Sequence, residues 1–299
     1  MTFCIIGRGQ LGSAFAQFLT SRGHAVMQPA LDVRDAAAVR DAVAAAHPDV
    51  VINTAAKTNI DWCEDNKLEA FAVNTLGAIN AADATRAAGA FFVQTSSGCV
   101  QESRDGSDPR TEADPADPAC FYSWTKVFTD EVLLHRLAKG EQQVLILRPR
   151  QLLSAIPHPR NILAKFLTYN KFIDTDNSYT IIEDFLPVAL GMIEKRLTGL
   201  YNVVNEGYLT PYKVALILKE HTKPEMQFEK ITREAFDQTI RNKRVDCVLS
   251  TDKLKAAGFS LPPVADRLVE LAKQLKDNLA GAADVMAKTE AETRAKIIS

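Results

Sequence analysis

The sequence predicts an α/β fold, a doubly wound parallel sheet followed by a smaller C-terminal lobe, on three observations. Short apolar, β-branched runs alternate with helical patterns over roughly the first half of the 299 residues. The first run, "FCII", closes on clustered glycines out of which a helix starts. After Arg150 the alternation loosens into helical patterns with one clear strand among them.

Each element has a local reason. "FCII" reads as a strand, and "QLGSAFAQFLTSRG" places apolar residues at helical spacing and stops at Gly23. "HAVMQP" is a strand, "DAAAVRDAVAAAHP" a helix ended by Pro48, and "DVVINTAA" a strand. "KLEAFAVNTLGAINAADATRAAG" reads as one long helix before the strand "AFFVQTSS". This order implies right-handed crossovers, with helices on both faces of the sheet. "RDGSDPRTEADPADPAC" has no periodicity and many Pro and Asp residues, so it is expected to be a loop or lid. The helix "SWTKVFTDEVLLHRLAKG" and the buried strand "QQVLILRP" follow it. Beyond Arg150 come helices at "RNILAKFLTYN" and "DFLPVALGMIEKRLTG", the strand "LYNVVN", and the helix "TPYKVALILKEH" with a Thr-Pro start. The chain divides accordingly into residues 1–150, a lobe of 151–275 intermixed with the first part, and a peripheral C-terminal helix or tail at 276–299. The tail reads as a frayed terminal helix or an oligomer contact, and a homodimer is compatible with it.

Composition excludes several classes of function. With 35 basic and 37 acidic residues the net charge is -2, and no lysine- or arginine-rich block invites nucleic acid or a membrane surface. Cys4, Cys63, Cys99, Cys120 and Cys247 are odd in number and lack C-x-x-C spacing, and none of the five histidines forms a metal-like pair. Reduced thiols, no metal and a cytoplasmic location are the expectation. No long apolar run suggests a membrane span or an export signal.

Gly7, Gly9 and Gly12, with Arg8, Gln10 and Leu11 between them, give G-x-G-x-x-G spacing between a strand and a helix. In that context the first glycine permits a tight turn, the second a close approach to a pyrophosphate, and the third close helix–strand packing. This predicts a Rossmann-type dinucleotide site. An acid at the end of the second strand would signal NAD(H), and "AVMQPA" has none. Arg8 could meet a 2'-phosphate, which leans the choice toward NADP(H), or it could be a solvated arginine. Asp32 suits the adenine side of the cofactor or an N-cap equally well.

"YSWTK" sets Tyr122 and Lys126 four residues apart on one helical face. An ammonium beside a phenol would lower its pKa and make it a usable general acid.

With these segments in hand, the chain resembles the extended short-chain dehydrogenase/reductase family: "GRGQLG", "NTAA" after the third strand, "TSSGCV" after the fourth, then "YSWTK". The resemblance implies Ser97 as the hydroxyl that orients a substrate carbonyl, Tyr122 as proton donor and Lys126 as its activator. It also implies Thr54, Ala55 and Ala56 along the cofactor. "AVNTLGAINAADA" is similar to the sugar-nucleotide reductases, including dTDP-4-dehydrorhamnose reductases. "NIDWCE", "FYSWTK", "PRNILAKFLTYNKF" and "LTGLYNVVN" resemble the nucleotide-rhamnose synthases of plants and giant viruses, which are bifunctional 3,5-epimerase/4-keto-reductases. The loop "AAKTN" is shorter than the plant pattern, and Ser97 stands where threonine is common.

That resemblance gives Cys99 a task. A 4-keto sugar has acidic hydrogens at C3 and C5, and inverting either centre needs a base on one face and an acid on the other. On an extended segment Cys99 would point to the same side as Ser97, and the resemblance pairs it with Lys165. Without the resemblance, Cys99 is a small packed residue and Lys165 a solvated helix lysine. Arg160 and Asn161 could bind a substrate diphosphate or simply cap their helix. Cys63 and Trp62 could wall a sugar pocket or pack. The implied substrate is a nucleotide 4-keto-6-deoxy sugar carried on UDP or dTDP. A reductase without epimerase activity and a non-catalytic NADP(H)-binding regulator are the remaining alternatives.

Overall fold

The computed structural model describes residues 1–103 and 105–298. Arg104, in the expected lid loop, and Ser299, at the end of the expected tail, lie outside the described residues.

The first half runs β1 (Thr2–Ile6), α1 (Gln10–Ser21), β2 (Ala25–Met27), α2 (Ala36–Ala46), β3 (Val50–Asn53), α3 (Ile60–Asp65), α4 (Lys67–Phe71), α5 (Gly77–Ala87), β4 (Phe91–Thr95), α6 (Phe121–Ala138) and β5 (Val144–Arg148). The second half runs β6 (Leu152–Leu153), α7 (Ile162–Phe166), β7 (Lys171–Ile173), β8 (Thr180–Ile181), α8 (Ile182–Glu194), β9 (Gly199–Asn202), α9 (Pro211–His221), β10 (Glu229–Ile231), α10 (Arg233–Asp237), α11 (Asp252–Ala256), α12 (Val264–Leu279) and α13 (Ala283–Ile298).

Six strands form one parallel sheet in the order β2-β1-β3-β4-β5-β9, a Rossmann-type doubly wound arrangement. Side chains alternate between its faces as a strand requires. Phe3, Ile5, Val50, Ile52, Phe91, Val93, Leu145 and Leu147 pack with α1 and α8, whereas Cys4, Ile6, Val51, Phe92, Val144 and Ile146 pack with α2, α5 and α6. Burial of both faces explains the near-continuous apolar runs.

The stretch after Arg150 is shared between two cores. Helix α8 and strand β9, the expected "LYNVVN" strand, return to the main sheet as its sixth strand. Helices α7, α9 and α12 build a separate cluster around Leu163, Leu218 and Leu271. Local capping follows the expected chemistry: the Asp35 carboxylate accepts from Ala37 N and Ala38 N, and the Thr210 hydroxyl from Lys213 N at 3.1 Å.

The expected single helix from Lys67 is interrupted by a π-helical turn at Ala72–Leu76. The buried Asn74 side chain explains it: Oδ1 accepts from Lys57 N at 2.7 Å, and Nδ2 donates to Lys57 O and to Thr125 Oγ1. These tertiary bonds draw the helix toward the loop after β3 and toward α6. A widened turn of this kind often borders a functional site.

Candidate active site

The carboxyl ends of β1, β3, β4 and β5 open into a cavity of about 710 Å³. Ligands bind in this crevice of open α/β sheets, and the volume suits a cofactor-sized guest.

The glycine turn forms one wall. Gly7 has φ of 106°, a left-handed conformation that a side chain would strain, and a Cβ there would lie 2.7 Å from Ala55 N. A Cβ on Gly12 would overlap the Gly7 carbonyl and sit 2.5 Å from Thr54 Oγ1. Gly9 instead faces open space, with Arg160 Nη1 3.7 Å from where its Cβ would be. Thr54 ties the end of β3 to this turn by donating to Ile6 O at 3.2 Å. Arg8, Gln10, Leu11, Ala55 and Ala56 line the same cavity.

Asp32 also lines it, but not as an N-cap, since that role belongs to Asp35. Its carboxylate accepts from Arg34 Nε at 2.9 Å and from Arg34 N at 3.0 Å. The side-chain bonds from Arg34 hold that carboxyl down at about 2. At the end of β2, where an NAD-type acid would stand, Gln28 donates to Gly7 O at 2.8 Å. Gln28 and Arg34 were not singled out from sequence.

Ser97, Cys99, Tyr122 and Lys126 line this cavity too. Ser97 does not begin an extended segment. It caps a short 3-10 turn at Gly98–Val100, and its hydroxyl accepts from Cys99 N at 3.2 Å. The turn, rather than strand alternation, brings Ser97 and Cys99 to one side.

The expected lowering of the Tyr122 phenol is corrected by its surroundings. Burial pushes it well above its ordinary value, the Cys99 thiol adds to that, and a hydrogen bond with the Ser97 side chain opposes it. A phenol so placed keeps its proton, as a proton donor must. Lys126 moves the other way: burial lowers it to about 8, against the attraction of Asp130. Its Nζ donates to Thr95 O at 3.1 Å. Asp130, one turn further along α6, accepts from Ser96 Oγ at 2.6 Å and Arg148 Nη2 at 3.2 Å. Burial nevertheless raises its pKa, with Arg148 opposing.

Two predicted residues are not brought to the cleft surface. Asn161 is fully buried; its Nδ2 donates to Ser154 O and Ile156 O, and its Oδ1 caps α7 by accepting from Leu163 N. Lys165 is half-buried on α7 and is not among the side chains lining the cavity. Cys63 and Cys120 share a buried cluster with Tyr122, and burial raises Cys63 to about 11. All five cysteines are free. Among the described residues no His, Cys, Asp and Glu cluster could hold a metal, and no helix is long and apolar enough to cross a membrane.

Sequence reasoning also missed Arg150, Gln151 and Lys57. Gln151 lines the cavity in the left-handed region at φ 40°, and Lys57 holds its ammonium 4.9 Å from the Trp62 ring centroid. A side chain strained at a cleft is a sign of a functional constraint, but no short spacing in the sequence announces it.

The profile of the family described as RmlD substrate binding domain matches residues 1–277. The bifunctional dTDP-4-dehydrorhamnose 3,5-epimerase/dTDP-4-dehydrorhamnose reductase of Arabidopsis thaliana is 28% identical over 280 residues, 90% of this chain and 91% of that protein. The UDP-rhamnose synthase of Acanthamoeba polyphaga mimivirus has a similar structure, with a TM-score of 0.82 at 25% identity over 91% of this chain and 99% of that one. The dTDP-4-dehydrorhamnose reductase of Bacillus anthracis, solved in complex with NADP, shares the fold with a TM-score of 0.77 at 20% identity, covering 94% and 100% of the two chains.

Proposed function

The chain belongs to the RmlD substrate-binding domain family, and from that premise we propose that it is an NADPH-dependent enzyme of nucleotide-rhamnose formation. It takes a UDP- or dTDP-linked 4-keto-6-deoxyglucose, epimerises it at C3 and C5, and reduces it at C4. One observation supports this most: Ser97, Cys99, Tyr122 and Lys126 face the same cavity as the glycine turn. The plant and giant-virus proteins to which the chain is similar carry names of the same chemistry. The free cysteines favour the reducing cytoplasm as its location.

The residues present fit NADP(H). Gly9 leaves room for a pyrophosphate, Arg8 and Arg160 border it, and Gln28 replaces the acid that would favour NAD(H). When bound, NADPH supplies the hydride for the C4 carbonyl. The hydroxyls of Ser97 and Tyr122 hydrogen-bond the ketone oxygen, and Tyr122, kept protonated by burial, delivers its proton there. The Lys126 ammonium, one turn along α6, favours the phenolate that results. Removal of the C3 or C5 hydrogen moves charge onto the same oxygen, so one pair of hydroxyls serves both reactions. Cys99 is the group in the cleft that exchanges those protons.

The test is to give the purified protein NADPH and un-epimerised UDP- or dTDP-4-keto-6-deoxyglucose. Formation of an L-rhamnose nucleotide supports the proposal; turnover only after a separate epimerase is added reduces it to the 4-keto-reductase. A Cys99→Ala variant that still exchanged C3 and C5 hydrogens at the native rate would remove the epimerase assignment.

A further inference from the structure

The group that touches the Cys99 sulfur is an arginine. Arg150 follows β5 and is 2% exposed. Its Nη1 donates to Cys99 Sγ at 3.3 Å and to Gly98 O at 3.2 Å. Its Nη2 donates at 2.6 Å to both Asn177 Oδ1 and Val245 O, while Nε is buried without a partner.

The guanidinium is held from both sides. Gly98 allows its stem to pass, because a Cβ there would lie 3.1 Å from the Arg150 Cβ. Asn177, which receives Nη2, is itself fixed by donating to Asp246 Oδ1 at 2.8 Å. Gln151, the next residue in the chain, is locked in the left-handed region.

The acceptors around this cation are two carbonyls, an amide oxygen and a sulfur, and among the described residues no carboxylate forms an ion pair with it. The nearest acid in the network, Asp246, is occupied by Arg233, Thr175 and Asn177. Arg150 also acts on the Tyr179 phenol and the Cys247 thiol, both driven upward by burial. Buried charges are ordinarily paired, so this guanidinium lacks a counter-charge. The Cys99 sulfur is the one acceptor in contact with it that also lines the cavity and can become an anion.

We propose that Arg150 is the positioning residue for Cys99, its guanidinium placed to hold the sulfur by a charged hydrogen bond as that sulfur takes part in proton abstraction, a role that rests on the epimerase reading given above. In the step it supports, a C–H bond next to the ketone breaks and an S–H bond forms at Cys99. The electron pair moves onto the ketone oxygen, where the Ser97 and Tyr122 hydroxyls receive it. A guanidinium stays charged throughout and transfers no proton itself. Arg150 thus assigns Cys99 the base function and leaves the opposite-face proton to another group.

The experiment compares full-length wild type, Arg150→Met and Arg150→Lys in two measurements. In the first, iodoacetamide alkylates the proteins near neutral pH and mass spectrometry follows Cys99. Loss of a charged hydrogen bond should slow Cys99 alkylation about tenfold or more in Arg150→Met, with Arg150→Lys closer to wild type. In the second, C3 and C5 deuterium exchange is compared with reduction of a nucleotide-linked 4-keto-rhamnose. Exchange should fall about tenfold more than reduction in Arg150→Met. If Arg150→Met fails to fold, the same ratio is read in Arg150→Lys, where a fall of about threefold supports the role. Unchanged alkylation, or exchange and reduction falling together, would overturn it and leave Arg150 a structural brace. If wild type shows no exchange but Cys99 alkylation still depends on Arg150, the epimerase reading fails while the Arg150–Cys99 pairing stands.

Discussion

Replacing Lys126 with methionine should stabilise the folded protein near pH 7 while abolishing reduction. Burial lowers the ammonium from 10.5 to about 8 even with Asp130 nearby. That difference corresponds to a cost of about 3 kcal/mol for holding the charge in the folded state. Methionine fills similar space and removes the cost, but it forfeits the bond to Thr95 O, worth about 1 kcal/mol. The net gain near neutrality is then about 2 kcal/mol. The sign follows from linkage. A lysine depressed in the fold destabilises fully below about pH 8, and the penalty disappears as pH rises toward 10.5, where the unfolded chain also loses its proton. Urea unfolding of both proteins at pH 7 and pH 10 should therefore show the advantage of the variant shrinking by about 2 kcal/mol. A variant less stable than wild type at pH 7, or an advantage independent of pH, would show that the buried ammonium carries no such cost.

Other consequences are checked more briefly. The kcat of reduction should fall about tenfold from pH 7 to pH 9 as Lys126 loses its proton, and a flat profile would contradict its role. Tyr122→Phe should lower kcat by about 10²–10⁴, measured as NADPH oxidation. Gly12→Ala forces a methyl against the Gly7 carbonyl and should weaken NADPH binding about tenfold or more in a fluorescence titration. Arg160→Ala should raise the NADPH Kd about tenfold while sparing the sugar-nucleotide KM, because the guanidinium lies beside Gly9. The reverse pattern would return Arg160 to the substrate diphosphate.

What could be read from sequence was what is local. The Gly7–Gly12 turn, the Thr210 cap and the Tyr122–Lys126 pair depend on neighbours within a few residues, and all stand where their spacing places them. Contacts between distant segments were not legible. Arg150 meets Cys99 across 51 residues, and the Asn74 amide that accompanies the π-helical turn answers to Lys57 and Thr125. Burial, too, was invisible from spacing. It lifts Tyr122 where a neighbouring ammonium would have lowered it, and of the two readings of Asn161 it leaves the cap. Whether Lys165 lines the cavity depends on how α7 packs against α13 and β6, which no motif encodes.

One cleft is proposed both to epimerise and to reduce. This is tested most directly by incubating the protein alone with NADPH and un-epimerised nucleotide 4-keto-6-deoxyglucose in deuterium oxide, then determining the product sugar by NMR. The expected product is an L-rhamnose nucleotide carrying deuterium at C3 and C5. A product of D configuration without deuterium at those carbons, or no product at all, would contradict it.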